Sequence, residues 1–310
     1  MIAFIVRRLL FAVVLVFAVS SASLMLARLA PGDYVTATLG AKAGQQAVDE
    51  ARARYGLNRS FGAQYRDWLV GALHLDFGRS MQFDRPVTDL IPQSALNTGI
   101  LALTALVVAT LIGLPLGVIT GTRRHGVVPS AIRAASLVLL SMPPLLTSLF
   151  LVFAAAKSGW LPAGGMTSSN GEGLLSHMVV PVAALALPLI AMFERMQSQA
   201  MSETIGQPYV IATFGRGVPL TRVIWRDALK NALRPVASIY GLVVGTLLSG
   251  SFAVETVTAW PGLGQLMLNA LRARDVYLVA GCAAAGSIFL AVGTLMSDAA
   301  LAIVDPRAAD

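Results

Sequence analysis

Charged side chains are scarce in this sequence: they make up 13% of its 310 residues, whereas hydrophobic residues make up 56%. The mean hydropathy of +0.71 lies outside the range of ordinary soluble domains. This composition is typical of a chain that crosses a membrane several times. The one cysteine, Cys282, lies in an apolar run, which excludes an internal disulfide and a cluster of thiolate metal ligands.

Residues that could carry out chemistry are equally rare. No lysine follows a glycine, so the chain lacks a phosphate-binding loop that ends in Gly-Lys-Ser/Thr; the lysines are Lys42, Lys157 and Lys230. The histidines fall in different predicted loops, which argues against a zinc site or a histidine-based triad; they are His74, His125 and His177. We therefore predict no catalytic residue, no metal site and no cofactor on this chain.

Six apolar runs predict membrane-spanning helices, the fourth of them shorter than the rest: residues 9–27, 99–122, 134–156, 178–193, 236–254 and 276–304. A cleavable signal peptide is the competing interpretation of the first run. Because Arg28 and Pro31 stand where cleavage needs small, unconstrained residues, we expect this span to be retained. The predicted fold class is an all-α membrane protein with six transmembrane helices.

The arginines indicate the orientation of the spans. The net charge is +7, but most arginines lie in short loops beside apolar runs, where membrane topology explains them better than nucleic-acid binding. With a cytoplasmic N-terminus, the cations of the short outer loops are only Lys157, Arg272 and Arg274. Since cytoplasmic loops carry the excess of lysine and arginine, both termini are expected in the cytoplasm. Residues 28–97 then form a long external segment.

A polar stretch between spans 4 and 5, residues 195–235, predicts two short helices joined by an elbow. Pro208 suits the first turn of a helix from Tyr209 to Arg216. Gly217 ends this helix, because glycine adopts the left-handed conformation that reverses the chain, and Pro219 begins the second helix. The second helix pairs an apolar face, Leu220, Val223, Ile224, Ala228, Leu229 and Ala232, with cations at four-residue spacing, Arg222, Arg226, Lys230 and Arg234. This pattern also suits a helix that lies on anionic lipid.

The stretch resembles the cytoplasmic EAA loop of permease subunits from binding-protein-dependent ABC importers. In that family the first helix is a coupling helix that sits in a cleft of the ATP-hydrolysing subunit. The resemblance assigns coupling to Tyr209, Val210, Ala212, Thr213, Phe214, Gly215, Arg216 and Gly217. Departures from the family pattern are Pro208 for aspartate, Phe214 for arginine, Gly215 for alanine and Arg216 for lysine. Gly215 weakens a short helix by up to about 1 kcal/mol relative to alanine.

Short external motifs extend the resemblance to the first-encoded, B-type permease of peptide and nickel importers. In the 28–97 segment they are Ala30-Pro31-Gly32-Asp33, Arg54-Tyr55-Gly56-Leu57-Asn58-Arg59, Asp76-Phe77-Gly78-Arg79-Ser80 and Arg85-Pro86-Val87. After span 5 they are Glu255-Thr256-Val257 and Trp260-Pro261-Gly262-Leu263-Gly264, and the chain ends on Asp305-Pro306-Arg307. A generic external loop is the competing interpretation of the first group, but the order and spacing of its motifs favour the resemblance.

Prolines in span 3 mark a candidate translocation path. The run Ser141-Met142-Pro143-Pro144 must break the hydrogen-bond ladder of the helix, and in lipid the freed carbonyls need protein or cavity partners. A structural kink packed against a neighbouring helix is the other open interpretation. A second kink is expected at Pro115. The spans contain almost no ionisable groups, with Asp298 the exception, which argues against a proton- or sodium-coupled carrier.

The resemblance implies one subunit of a larger machine in a bacterial or archaeal cytoplasmic membrane. Residues 1–27 would form span 1, residues 28–97 the external segment and residues 98–310 a type I permease core. A second homologous permease would complete the pathway, an external binding protein would deliver a peptide or nickel chelate, and two ATPase subunits would carry ATP and Mg²⁺. ATP-driven closure would move the helix at 209–217 and switch the cavity between inward-facing and outward-facing.

Two other classes of protein remain as alternatives. A membrane anchor or scaffold with a lipid-facing basic helix would tolerate the same spans, but it gives no reason for the glycine elbow. An intramembrane enzyme would require a nucleophile–base pair or metal ligands within the spans, and the sequence offers neither. No enzymatic activity is expected of this chain.

Overall fold

The computed structural model describes residues 2–39, 44–123, 125–166 and 173–304, and within these ranges every regular element is a helix. In chain order the helices are α1 Ile2–Leu29, α2 Tyr34–Leu39, α3 Gln45–Arg54, α4 Phe61–Leu73, α5 Val87–Thr122, α6 Val127–Leu140, α7 Pro144–Ser158, α8 Leu174–Ile205, α9 Pro208–Gly215, α10 Leu220–Arg222, a π-helix Val223–Ala228, α11 Leu229–Ala232, α12 Arg234–Val257, α13 Leu263–Ala273 and α14 Val276–Val304. The side chain of Asp298 and the ending Asp305-Pro306-Arg307 lie outside the described residues.

Among the residues that the structure describes, four helices are long and apolar enough to cross a membrane, and they lie in α1, α5, α8 and α14. Two bent pairs can each form one further span: α6 with α7, at an angle of 106°, and the two halves of α12, at 40°. The all-α fold class is confirmed, and the predicted number of six spans results when each bent pair crosses once.

Two long helices extend well beyond the predicted spans. Helix α5 begins at Val87, whereas the predicted span begins at residue 99, and α8 continues past Phe193 to Ile205. At 1.5 Å per residue the 32 residues of α8 extend over about 48 Å, whereas the hydrocarbon core is about 30 Å thick. Hydrophobicity marks the part of a helix in lipid, but the helix itself ends where a breaker occurs, here at Gly206 and Pro208.

Three glycines at four-residue spacing allow α5 to lie directly against α8. A Cβ at Gly117 would lie 2.5 Å from the Cβ of Gln197, and one at Gly121 would lie 2.5 Å from the carbonyl oxygen of Ser198. A Cβ at Gly113 would lie 2.8 Å from the Cβ of Phe193 and 2.9 Å from the carbonyl oxygen of Ile190. Small residues at this spacing are typical of close helix packing in membranes. The helix is unbroken through Pro115.

The chain divides into two compact units, each with its own core. The first unit comprises residues 1–98 and 261–291, and its cores include Val87, Leu263 and Leu278 in one cluster and Trp68 in another. The second unit comprises residues 99–260 and 292–310, with a core around Leu185, Phe193 and Trp260. The predicted division into a first span, an external segment and a permease core stays a prediction.

Candidate functional site

The predicted elbow between two short helices is present at Gly217. Pro208 lies in the first turn of α9, and the helix ends at Gly215, one residue from the predicted end. Gly217 has φ +82°, and its N–H donates to the carbonyl of Phe214 at 3.0 Å. A Cβ at Gly217 would meet no atom within 4 Å. The glycine is therefore required by the left-handed backbone and not by lack of space.

Helix α9 has one anchored residue and an exposed apolar face. Val210 is 3% exposed and belongs to a cluster with Val118 of α5 and Met201 of α8. In contrast, Ile211 is 59% and Phe214 is 56% exposed. Exposed aromatic and aliphatic side chains on a rigidly held element are typical of a protein-binding surface.

Tyr209 ties α9 to the second helix of the loop. Its hydroxyl accepts a hydrogen bond from Nδ2 of Asn231 at 2.7 Å, while its carbonyl accepts one from the hydroxyl of Thr213 at 2.8 Å. Of the other predicted coupling residues, Ala212, Gly215 and Arg216 are exposed. The structure thus brings the predicted coupling residues together on one short helix and its elbow, and their coupling role stays a prediction.

The second helix of the loop is amphipathic, but it is not a regular α-helix. Residues Val223–Ala228 form a π-helix, which inserts an extra residue into the turn. The apolar positions Val223, Ala228 and Ala232 are buried in the same cluster as Val210, whereas Leu220 is exposed. The cations Arg222, Arg226, Lys230 and Arg234 are all exposed. The predicted apolar face therefore packs inside the protein, apart from Leu220.

An apolar groove of about 250 Å³ lies between α9 and the π-helix. Ile211 and Phe214 line one side of the groove, and Leu220 and Ile224 line the other. Because the groove is nearly free of polar atoms and opens beside the exposed face of α9, it enlarges the surface that a protein partner could cover.

The predicted break at Ser141–Pro144 is present and sharp. Helix α6 ends at Leu140, and α7 begins at Pro144 after the 106° bend. The carbonyl of Leu137 accepts hydrogen bonds from both the N–H and the hydroxyl of Ser141, at 3.2 and 2.9 Å. Pro144 lies beside Gly250 of α12. These contacts fit a packed bend, and a role of Ser141, Met142, Pro143 and Pro144 in a translocation path stays a prediction.

The external motif at Pro31-Gly32-Asp33 forms a hydrogen-bonded turn. Gly32 has φ +90°, and its carbonyl accepts a hydrogen bond from Arg274 at 3.4 Å. The carboxylate of Asp33 accepts hydrogen bonds from the N–H of Thr36 at 2.9 Å and from Nε of Arg52 at 2.8 Å. Burial alone would raise the pKa of Asp33, but the hydrogen bonds from Thr36 and Arg52 together lower that pKa below its ordinary value.

The second external motif, Glu255 to Gly264, is largely buried. Glu255 is fully buried, and its carbonyl accepts a hydrogen bond from the N–H of Trp260 at 2.9 Å. The carbonyl of Pro261 accepts one from Nδ2 of Asn97 at 2.8 Å, and both Gly262 and Gly264 are buried. The hydrogen bonds of these residues are made within the protein, as expected for a motif with a structural role.

A buried cluster around Asp275 was not predicted from the sequence. The Asp275 carboxylate accepts hydrogen bonds from the hydroxyl of Ser80 at 2.6 Å, from the N–H of Gln82 at 3.0 Å and from the N–H of Leu278 at 3.2 Å. One carboxylate therefore caps α14 and fixes the loop at 78–86. The acidic residue before an apolar run signalled the cap, but its partner is 195 residues away in the sequence.

A second missed residue is Glu194, which the predicted end of span 4 placed in a cytoplasmic loop. It lies within α8, is 1% exposed and accepts a hydrogen bond from the hydroxyl of Thr120 at 2.6 Å. The spacing of Gly113, Gly117 and Gly121 was the available signal, because it predicts an α5 surface against which another helix packs.

Long apolar helices, a proline-broken span and a helix–elbow–helix loop together define a polytopic membrane protein of the transport permease class. The chain belongs to the family of binding-protein-dependent transport system inner membrane components: residues 113–310 match this family, and residues 1–91 match its N-terminal region. The predicted resemblance is confirmed. The family consists of transport components located in the inner membrane, so the chain is a multi-pass inner membrane protein.

Individual relatives match the whole length of the chain. The oligopeptide transport system permease protein AppB of Bacillus subtilis is 31% identical over 99% of each chain. A Brucella suis protein named as a peptide permease is 30% identical, again over 99% of each chain. A Sinorhizobium fredii protein named as a peptide ABC transporter permease is 29% identical over 98% of each.

Proposed function

We propose that this chain is a permease subunit of an ABC importer for peptides and forms half of the translocation pathway. Support comes from its family and from the names of relatives that match it from end to end. A second homologous permease would form the other half, and an external binding protein would deliver the peptide. Two ATPase subunits, which bind ATP and Mg²⁺, would supply the energy on the side of the membrane that holds both termini.

The exposed apolar face of α9 is the observation that carries the coupling role. Val210 fixes α9 against α5 and α8, while Ile211 and Phe214 point away from the protein. A partner that binds these two side chains can therefore transmit a displacement to α5 and α8 through Val210. Phe214 occupies a position where the family pattern has arginine. The surface that α9 offers to a partner is therefore more apolar than the family pattern implies.

The burial of the second helix argues against a lipid-facing anchor. In that alternative the apolar face would enter the lipid and the cations would meet headgroups. Val223, Ala228 and Ala232 are instead buried within the protein. The exposed cations beside α9 fit an acidic rim on a protein partner.

Replacing Gly217 tests the coupling role. A non-glycine residue at φ +82° costs about 1–2 kcal/mol in an L-amino acid, so Gly217→Leu should displace the end of α9. We expect normal membrane insertion, but a loss of about tenfold or more in the ATP hydrolysis that the binding protein stimulates in the reconstituted complex.

Gly206→Ala is the matched control for this experiment. Gly206 also flanks α9, but it has φ −75° and its Cβ would approach only the carbonyl of Glu203, at 3.7 Å. The control should keep wild-type activity. Stimulated hydrolysis that survives in Gly217→Leu would refute coupling through this elbow.

A further inference from the structure

A cavity of about 460 Å³ lies between α5, α6 and α8. Most of the residues that line it are polar or charged, and they include Thr120, Arg133, Ser136, Glu194, Arg195 and Ser198. Ionisable residues of membrane-spanning helices are rare and usually face the interior of the bundle or a water-filled cavity, which is the arrangement seen here. The volume falls within the range of about 300–1,000 Å³ that is typical of small-ligand sites.

Glu194 forms the negative end of this cavity. The side chain is buried, and it accepts a hydrogen bond from the hydroxyl of Thr120, which is an uncharged donor. Among the side chains that the structure describes, none forms an ion pair with Glu194. A buried carboxylate without a cation is costly, so a ligand that brings an ammonium group would find a strongly favourable partner there.

Two arginines form the positive end. Arg195 follows Glu194 on α8 and is exposed, and Arg133 projects from α6, where its Nε donates to the carbonyl of Pro129 at 3.2 Å. The cavity is therefore lined by a buried acidic residue, a half-buried arginine and an exposed arginine. Ser136 of α6 and Ser198 of α8 also line it.

The position along α8 places the cavity near one membrane surface. Glu194 is 20 residues beyond Leu174, which is about 30 Å of helix and equals the thickness of the hydrocarbon core. The loop with α9 follows at the end of the same helix. With the predicted orientation, the cavity opens toward the cytoplasm.

We propose that this cavity binds the two charged ends of a transported peptide: Glu194 pairs with the terminal ammonium group, and Arg133 and Arg195 pair with the terminal carboxylate. Every unmodified peptide carries both groups, whatever its side chains, so this arrangement recognises peptides as a class. The proposal rests on the proposed function as a peptide permease and adds a specificity-determining site to this chain.

The test measures peptide binding to the complete transporter in lipid nanodiscs, without ATP and without binding protein. Labelled tri-alanine is compared with N-acetyl tri-alanine and with tri-alanine amide by equilibrium dialysis, and unlabelled alanine peptides of two to five residues serve as competitors. We expect each modification to weaken binding about tenfold or more, as the loss of one charge-assisted contact predicts. Glu194→Gln should weaken tri-alanine binding by a similar factor and abolish the effect of acetylation.

A second variant and a control separate recognition from folding. Arg195→Gln changes an exposed side chain and should reduce the effect of the C-terminal amide, because only Arg133 then remains to pair with the carboxylate, while the effect of acetylation stays intact. Glu203→Gln, an exposed carboxylate on the same helix, should behave like wild type. If acetylation weakens binding equally in wild type and Glu194→Gln, or if no alanine peptide binds wild type, the proposal is wrong.

Phosphatidylethanolamine also carries an ammonium group beside an anion, so binding of this lipid is measured separately. Native mass spectrometry that finds this lipid retained by wild type and lost from Glu194→Gln, with no peptide binding, would assign the cavity to lipid and overturn the proposal. Stimulation of ATP hydrolysis by the binding protein is recorded for the same wild-type samples. Normal stimulation without peptide binding refutes only this site, whereas absent stimulation refutes the proposed function.

Discussion

The glycine stripe on α5 leads to a quantitative prediction for Gly117→Ala. The new methyl group would lie 2.5 Å from the Cβ of Gln197 and 2.7 Å from the carbonyl oxygen of Glu194. Neither atom can rotate away, because one is a Cβ and the other is backbone. Overpacking of this kind costs about 1–3 kcal/mol. Alanine regains up to about 1 kcal/mol of helix propensity, which can offset the lower end of this cost, so a reference variant with the same gain is needed.

Gly286→Ala is the reference for this variant. Gly286 also lies inside a long apolar helix, α14, but a Cβ there would meet no atom within 4 Å. Both variants gain the same helix propensity, and their difference therefore isolates the contact between α5 and α8. We expect the free energy of unfolding in mixed SDS micelles to be about 1–3 kcal/mol lower for Gly117→Ala than for Gly286→Ala. Equal stabilities would refute the close approach of the two helices.

Two further predictions concern the segment at 28–97, which is predicted to be external. The pKa of Asp33 is lowered in the folded protein, so its contacts with Thr36 and Arg52 stabilise the protein fully at pH values above 3.8, the ordinary pKa of this group. The stabilisation is lost as the pH falls through the folded-state pKa. The difference in melting temperature between wild type and Asp33→Asn should shrink from about pH 6 to about pH 3, and a constant difference would contradict this. Ser80→Ala removes a 2.6 Å donor from the buried Asp275 and should cost about 1–3 kcal/mol in free energy of unfolding; a loss below the error of denaturation measurements would show that the contact contributes little.

The elbow could be predicted from sequence because proline and glycine act on their own backbone. Pro208 begins α9, and Gly217 adopts a positive φ angle. Both preferences belong to the residue itself and do not require a particular set of neighbouring side chains. The break at Pro143-Pro144 follows from the same local rule, although its angle of 106° does not. An all-α fold with long spans follows from hydrophobicity alone.

Contacts between distant residues could not be predicted in this way. The π-helix at Val223–Ala228 depends on the packing of Val223 and Ala228 against α5 and α8, which residue spacing does not reveal. Glu194 was placed in a loop because hydrophobicity falls after Phe193, yet the helix has no reason to end before Gly206. A polar residue near a predicted span end is therefore ambiguous until the helix breaker is located.

Helix α8 connects the two candidate sites on this chain. Val210 of α9 packs in one cluster with Met201 of α8 and Val118 of α5. On the same two helices, Glu194 and Thr120 share the hydrogen bond inside the cavity. The close approach of α5 and α8 at Gly113, Gly117 and Gly121 packs the two helices directly against each other along the glycine stripe. We therefore expect a force applied to α9 to pass first to the two helices that hold Glu194 and Thr120, and a movement of the predicted coupling loop to change the shape of the cavity.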